Sequence, residues 1–274
     1  MRPLPALARL DRRWIFLAMG LAVLVPLGIH SSPPVAETAP TRDFVRALDA
    51  VPDGSIVLMS CDYDPATLPE LAPMTRTAFR HLLSKRCRVV VTELWSGGAG
   101  VVDSVLRQAA RDLPGASYGR DWVDLGYAAG GEAVMALMSR GIAQAFPCDA
   151  QGLPIEGVPI MRAVRDYSSF SLLVSISAGS PGTREWAQQV GTRFHLPMVA
   201  GVTASLAPDC MPYLLSGQLR GLLSGMAGAA EYETARGEGG SARRGMGAQS
   251  LAHLLVALCI LLGLLTPPAK KSAP

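Results

Sequence analysis

Two aspartates separated by one residue, Asp62 and Asp64, follow a short apolar run at residues 55–60 and give the sharpest chemical signal in the sequence. Carboxylate pairs of this kind can hold Mg²⁺ or Mn²⁺. One phosphatase class that uses such a pair requires Thr or Val four positions after the first Asp, where this chain has Ala66. The same residues also suit an Asx turn leading towards the next helix. Metal binding, with Mg²⁺ as cofactor, and a structural turn therefore both stay open for this pair.

A second candidate is the serine- and glycine-rich segment 177–182, between a predicted strand and a predicted helix. Backbone N–H groups at the start of a helix can bind an anion, so Ser177, Gly179 and Ser180 are candidate ligand-binding residues. The segment lacks the G-K-[ST] of a P-loop and the G-x-S-x-G of a serine hydrolase. The sequence also offers Ser180 no evident His–Asp relay. The pattern therefore favours binding over nucleophilic catalysis.

The elements that must position these residues alternate between strands and helices. Strands are predicted at residues 55–60, 89–94, 122–125, 170–177 and 198–202, and helices at 43–50, 69–83, 101–113, 132–145, 183–194 and 211–232. Such alternation predicts an α/β fold whose mostly parallel sheet carries helices on both faces, in a Rossmann-like arrangement. In this fold class the carboxyl ends of the strands gather on one edge, and ligands bind there.

The residues that leave the predicted strands form the candidate ligand site. They are Asp62, Asp64, Trp95, Ser96, Gly97, Tyr127, Gly130, Gly131, Glu132, Ser177, Gly179, Ser180 and Thr203. Glu132 opens a helix, so the helix dipole also explains its charge. Any α/β fold needs Gly and Ser in its turns, which leaves a structural explanation beside the functional one.

Three glycines recur every four residues near the end of the interior: Gly217, Gly221 and Gly225. On the predicted helix 211–232 this spacing would leave one face nearly bare, so that another helix could approach closely. We therefore expect these glycines to serve tight packing, within the domain or between subunits.

Two apolar segments flank the interior, at residues 14–29 and 251–265. The first is slightly shorter than the ~20 residues that cross a membrane unaided. An uncleaved anchor is the preferred interpretation, and a cleaved signal peptide stays open. Arginines before the first segment predict a cytoplasmic N-terminus and an extracytoplasmic interior. Arg243 and Arg244, before the second segment, oppose this orientation.

This pattern predicts a two-pass protein of the cell membrane. Its parts are an N-terminal tail and transmembrane helix (1–30), a linker (31–41), an α/β domain (42–234), a second linker (235–248), a second transmembrane helix (249–267) and a C-terminal tail (268–274). Only 17% of the residues are charged and 49% are hydrophobic, a composition that agrees with partial burial in lipid.

Charge and cysteine content narrow the class of partner. The net charge of +3 comes from the flanks, because residues 31–240 carry more acidic than basic residues. The sequence therefore gives no reason to expect a nucleic-acid partner. Cys61, Cys87, Cys148 and Cys210 could form two disulfides outside the cytoplasm. Free thiols are favoured, because Cys61 and Cys87 lie at opposite ends of neighbouring predicted elements.

Several segments together resemble an uncharacterised family of prokaryotic membrane-anchored α/β proteins. The matching segments are DYDP at 62–65, LGY at 125–127, GGEA at 130–133, SAGSPG at 177–182, EW at 185–186, SGQL at 216–219 and GAAEYE at 228–233. The resemblance spans roughly residues 53–233. It implies an architecture and no established activity.

The resulting expectation is a membrane-anchored domain that binds a ligand or a partner without catalysis, as a subunit of a membrane complex. Its partners would be the lipid bilayer and either other membrane subunits or a second copy. One alternative is a metal-dependent phosphoester hydrolase in which Asp62 and Asp64 converge with Glu93, Asp124 or Glu132. Another is an accessory subunit of a transporter.

Overall fold

The structure is a computed structural model that describes residues 11–28 and 35–265. The helices are α1 (Arg12–Gly28), α2 (Ala39–Asp49), α3 (Leu68–Ser84), α4 (Val101–Arg111), α5 (Glu132–Met138), α6 (Ile142–Ala145), α7 (Thr183–Trp186), α8 (Thr192–Phe194), α9 (Ala207–Leu215), α10 (Gly225–Ala235) and α11 (Ser241–Leu265). The strands are β1 (Ile56–Asp62), β2 (Arg88–Glu93), β3 (Trp122–Tyr127), β4 (Leu172–Ser177), β5 (Met198–Val202) and β6 (Leu222–Ser224). Both terminal tails and part of the first predicted linker lie outside the described residues.

All strands of the sheet run parallel, in the order β3-β2-β1-β4-β5-β6. The prediction of an α/β fold is therefore confirmed. The chain starts in the middle of the sheet, builds one half outwards through β2 and β3, and then crosses back to β4 beside β1. Strand order thus reverses between β1 and β4, and in this fold class that crevice is where ligands bind.

Two apolar layers cover the sheet. One lies under α5, α6, α7 and α9 and includes the fully buried Trp186. The other lies under α2, α3, α4 and α10 and includes Phe44, Phe79 and Tyr232. Because side chains alternate across a strand, Val57 and Met59 face the second layer while Leu58 faces the first. Helices on both faces explain why the strands have continuous apolar runs rather than alternating ones.

The helix predicted at 211–232 is wrong, because this segment forms α9, a turn, β6 and α10. Gly217 has φ +77° in the turn after α9, and Gly225 has φ +57° at the start of α10; side chains with a β-carbon rarely adopt either. Gly221 precedes β6 and lies directly against the Phe44 backbone. The glycines therefore allow turns and one close backbone contact, not a bare helix face.

Two further boundaries differ from the prediction. The helix predicted at 132–145 is interrupted between α5 and α6, where Gly141 has an extended φ of 166°. The segment predicted as a linker, 235–248, is already helical from Ser241 onwards. Ala242 and Ala248 are buried, and α11 packs on α10 and α3. One continuous helix therefore joins the α/β domain to the apolar segment.

Residues Ser241–Leu264 of α11 are long and apolar enough to cross a membrane. The helix Arg13–Gly28 is apolar as well but shorter than a full span. A membrane crossing by α1 therefore stays a prediction. The cysteines at 61, 87, 148, 210 and 259 are all free, and Cys148 is exposed.

The role of the glycines can be tested with a matched pair of substitutions. We expect Gly221→Ala to destabilise the domain by about 2–3 kcal/mol, since the new methyl group must displace the Phe44 backbone. Gly217→Ala meets no atom and should lose only the roughly 1 kcal/mol associated with a positive φ. Urea unfolding of the purified protein in detergent measures both, and equal effects would contradict the assignment.

Candidate functional site

Loops from neighbouring strands meet at the carboxyl edge of the sheet. A β-carbon placed on Gly98, after β2, would be 2.7 Å from the Tyr63 carbonyl oxygen, after β1. One placed on Gly131, before α5, would be 3.3 Å from Pro181, after β4. These contacts bring together four of the loops that were predicted to form the ligand edge.

Trp95 joins the loops on the two sides of the β1–β4 crevice. Its indole Nε1–H donates to the Pro181 carbonyl oxygen at 2.7 Å. Its ring lies on Gly179, where a β-carbon would be 3.1 Å from Trp95 Cζ2, so a larger residue at position 179 would displace the ring. The half-buried indole therefore covers the crevice at the point where strand order reverses.

The Asp62 carboxylate is fully buried and holds three elements together. It accepts hydrogen bonds from the Ser60 hydroxyl at 2.6 Å, the Leu94 N–H at 2.7 Å and the Trp186 indole N–H at 3.1 Å. Burial raises the pKa of Asp62 to about 7, although these hydrogen bonds favour the charged form. The contacts define a structural role for Asp62 inside the edge.

Asp64 has a separate role, because its Oδ1 accepts the Ala66 N–H at 3.0 Å and caps the 3₁₀ turn Pro65–Thr67. This is the Asx turn that the sequence left open beside metal binding. Within residues 11–28 and 35–265, no group of three or more His, Cys, Asp or Glu side chains is placed to hold a metal ion. The geometry therefore favours the turn for Asp64 and gives a Mg²⁺ site no added support.

Ser177 is buried and engaged in a chain of hydroxyl groups. Its Oγ is 2.8 Å from Thr183 Oγ1, which in turn is 3.0 Å from Ser175 Oγ. The Thr183 N–H donates to Ser177 Oγ at 3.1 Å. Ser177 thus fixes the start of α7 and does not face the crevice as a nucleophile.

Ser180 is exposed, and the buried Glu185 organises the loop around it. Glu185 accepts the Ser180 hydroxyl at 2.8 Å and the Gly182 N–H at 2.9 Å, and it pairs with Arg184. Burial opposes the charge on Glu185, but these hydrogen bonds outweigh it and lower the pKa below its ordinary value. This carboxylate therefore satisfies the N-terminal turn of α7 that was considered as an anion site.

The other predicted site residues also lie at the carboxyl edge of the sheet. Gly97 lies against Asp64, and Ser96, Tyr127 and Gly130 are exposed on the same edge. Glu132 is exposed and accepts the Gln189 side-chain amide at 2.7 Å. Thr203 is buried after β5, where its hydroxyl is 3.1 Å from that of Ser205.

Two buried acids, Glu93 and Asp124, were named from the sequence only as companions of a metal. Both are fully buried on the α4 side of the sheet. Among the described residues, neither oxygen of Glu93 has a hydrogen-bond partner, and Asp124 Oδ2 has none. Burial, reinforced by the charges of Asp124 and Asp62, raises the pKa of Glu93 to about 8. An acidic residue ending an otherwise apolar strand was the sequence signal for this feature.

Comparison of the chain with protein-family models, with curated proteins and with solved structures finds no match. The resemblance to a membrane-anchored family therefore stays a prediction.

The two aspartates should respond differently to removal. We expect Asp62→Ala to destabilise the domain by about 2–4 kcal/mol, because three buried donors lose their acceptor. Asp64→Ala, the matched control, should lose about 1 kcal/mol with its cap. Urea unfolding in detergent compares the two, and a loss at position 64 as large as that at position 62 would contradict these roles.

Proposed function

We propose that this chain is a two-span membrane protein whose extracytoplasmic α/β domain binds a small ligand, without catalysis, in the crevice between the carboxyl ends of β1 and β4. The observation that carries the proposal is that contacts join four loops at the carboxyl edge, with Trp95 linking the loop after β2 to the loop after β4 beside the point where strand order reverses. Doubly wound sheets bind their ligands at this position.

The contacts of the polar side chains favour binding over catalysis. Asp62 already accepts three hydrogen bonds, and Ser177 is buried against Thr183. His81 is buried, and its two ring nitrogens form hydrogen bonds with the Tyr232 hydroxyl and with Asp49 Oδ1, each at 2.9 Å. These hydrogen bonds join α3 to α2 and α10. Since α3 runs from the carboxyl edge of the sheet towards the opposite edge, His81 lies away from the crevice.

The charge of the edge favours a ligand that carries an amine. Asp64 and Glu132 are at least partly exposed at this edge, and so are the aromatic side chains of Trp95 and Tyr127. Carboxylates and aromatic faces both attract cations. The turn after β1 has the sequence DYDP instead of the glycine-rich turn that cradles a pyrophosphate in dinucleotide-binding domains.

Packing of α1 against α11 supports a membrane crossing by α1 as well. Ala18, Leu21, Ala22 and Val25 of α1 line an apolar groove with Leu251, Leu254, Leu255 and Leu258 of α11. Many side chains on the outer surface of this helix pair are large, apolar and exposed, among them Phe16, Leu24 and Leu264. If α11 crosses the bilayer, α1 lies at the same depth beside it.

The orientation can be tested with the exposed native thiol of Cys148. We expect a membrane-impermeant maleimide to label Cys148 in right-side-out membrane vesicles, because the domain is proposed to face outwards. Cys148→Ser removes the label and is the matched control. Labelling only after the vesicles are opened would place the domain in the cytoplasm.

Ligand charge can be tested by calorimetric titration of the purified protein with spermidine and with inorganic phosphate. We expect spermidine to bind and phosphate not to bind. Asp64→Asn and Glu132→Gln should each weaken spermidine binding about three- to tenfold, as expected for the loss of one charge contact.

Glu156→Gln alters an exposed carboxylate in another loop and should leave spermidine binding unchanged. Binding of phosphate in place of spermidine would contradict the proposed ligand class.

A further inference from the structure

Glu93 is a buried carboxyl group that the proposed function does not use. It ends β2 on the face shared by Val89 and Val91, and its side chain is fully buried. In the part of the chain that the structure describes, neither of its oxygens has a hydrogen-bond partner. A buried carboxylate without donors is strongly disfavoured relative to its neutral form.

The loop that carries Trp95 lies directly on Glu93. A β-carbon on Gly98 would be 3.1 Å from Glu93 Oε2 and 3.4 Å from the Trp95 carbonyl oxygen. The Gly98 N–H donates to that same carbonyl, and the Gly98 carbonyl accepts the N–H groups of Val101 and Val102 at the start of α4. The charge state of Glu93 is therefore coupled to the packing of residues 94–100 against the sheet.

The groups around Glu93 add to the penalty for its charge. Asp124 on β3, Asp62 on β1 and Asp103 on α4 all disfavour the ionised form. Cys61 in β1 and Tyr63 just after it belong to the same buried layer and stay neutral because burial raises the pKa of each. Arg107 on α4 is held by both oxygens of Asp103, and Arg76 on α3 lies near Tyr63.

We propose that Glu93 is a proton-controlled latch for the ligand crevice: its protonated form keeps residues 94–100 and the Trp95 ring closed over the β1–β4 switch point, and loss of the proton to water releases them. Opening gives the carboxylate access to solvent and removes Trp95 from Gly179 and Pro181. The latch rests on the proposed function, since it regulates access to the same crevice.

The direction of the pH effect follows from the two states. In the open state Glu93 is solvated and ionises near its ordinary pKa, whereas in the closed state it keeps its proton to higher pH. The loop is therefore closed in acid. Between the pKa of Glu93 in the open state and its pKa in the closed state, the equilibrium constant for closure falls about tenfold per pH unit. Above the pKa of the closed state, Glu93 is ionised in both states and the equilibrium constant no longer changes with pH.

Hydrogen exchange of the full-length protein in detergent tests the latch through the protection of the Gly98, Val101 and Val102 amides. Between about pH 5.5 and about pH 7.5, we expect protection in the native chain to fall at least tenfold more than in Glu93→Gln. Asp124→Asn should reduce this fall without abolishing it, because removal of a neighbouring charge lowers the pKa of Glu93. Glu93→Met replaces Glu93→Gln if the amide variant does not fold.

Equal pH dependence in the native chain and in the variants at position 93 would overturn the proposal. So would recovery of protection by millimolar Mg²⁺ or Ca²⁺ at the higher pH, which would identify a cation site instead. The readout is independent of spermidine binding. A pH-dependent loop in a protein that fails to bind spermidine would leave the latch intact and remove the proposed ligand class.

Discussion

The buried Asp62 carboxylate is the interaction on which the arrangement of the edge depends. Its three donors come from β1, from the residue after β2 and from Trp186 in α7, so it links the two halves of the sheet where they meet. Burying a charge is unfavourable unless hydrogen bonds replace its water. Those hydrogen bonds fix the start of the Trp95 loop and the position of α7, and together they set the walls of the crevice.

A second constraint acts between the domain and α11. Glu233, which is buried, accepts the Ala242 and Arg243 N–H groups and so caps the start of α11. The first turns of α11 pack on α10 and α3 before the apolar segment begins. Because α11 is continuous over Ser241–Leu265, these contacts hold its apolar segment at a fixed orientation to the domain.

Apolar runs were sufficient to predict β5 at its observed bounds and β1, β2 and β4 to within two residues. The sequence could not reveal β6, since three residues of strand, Leu222–Ser224, lie between glycines whose spacing also fits a helix. Positive φ angles at Gly217 and Gly225 decide against the helix, and they appear only in the folded backbone. The loops of the site were predicted because parallel strands force their carboxyl ends together. The partners of Asp62 were not, since Leu94 and Trp186 are distant in sequence.

Glu93 and Asp62 show how the same chemistry leads to different outcomes at neighbouring positions. Both are acids at the last position of a buried strand, and burial raises the pKa of each. Asp62 faces the α7 layer, where three donors stabilise its charge. Glu93 faces the α4 layer, where Asp124 and Asp103 oppose it. Folds meet local rules almost everywhere and depart from them mainly at functional positions. The unpartnered acid lies under the loop that carries Trp95 over the crevice, and this coincidence is the reason to assign it a role in opening rather than in folding.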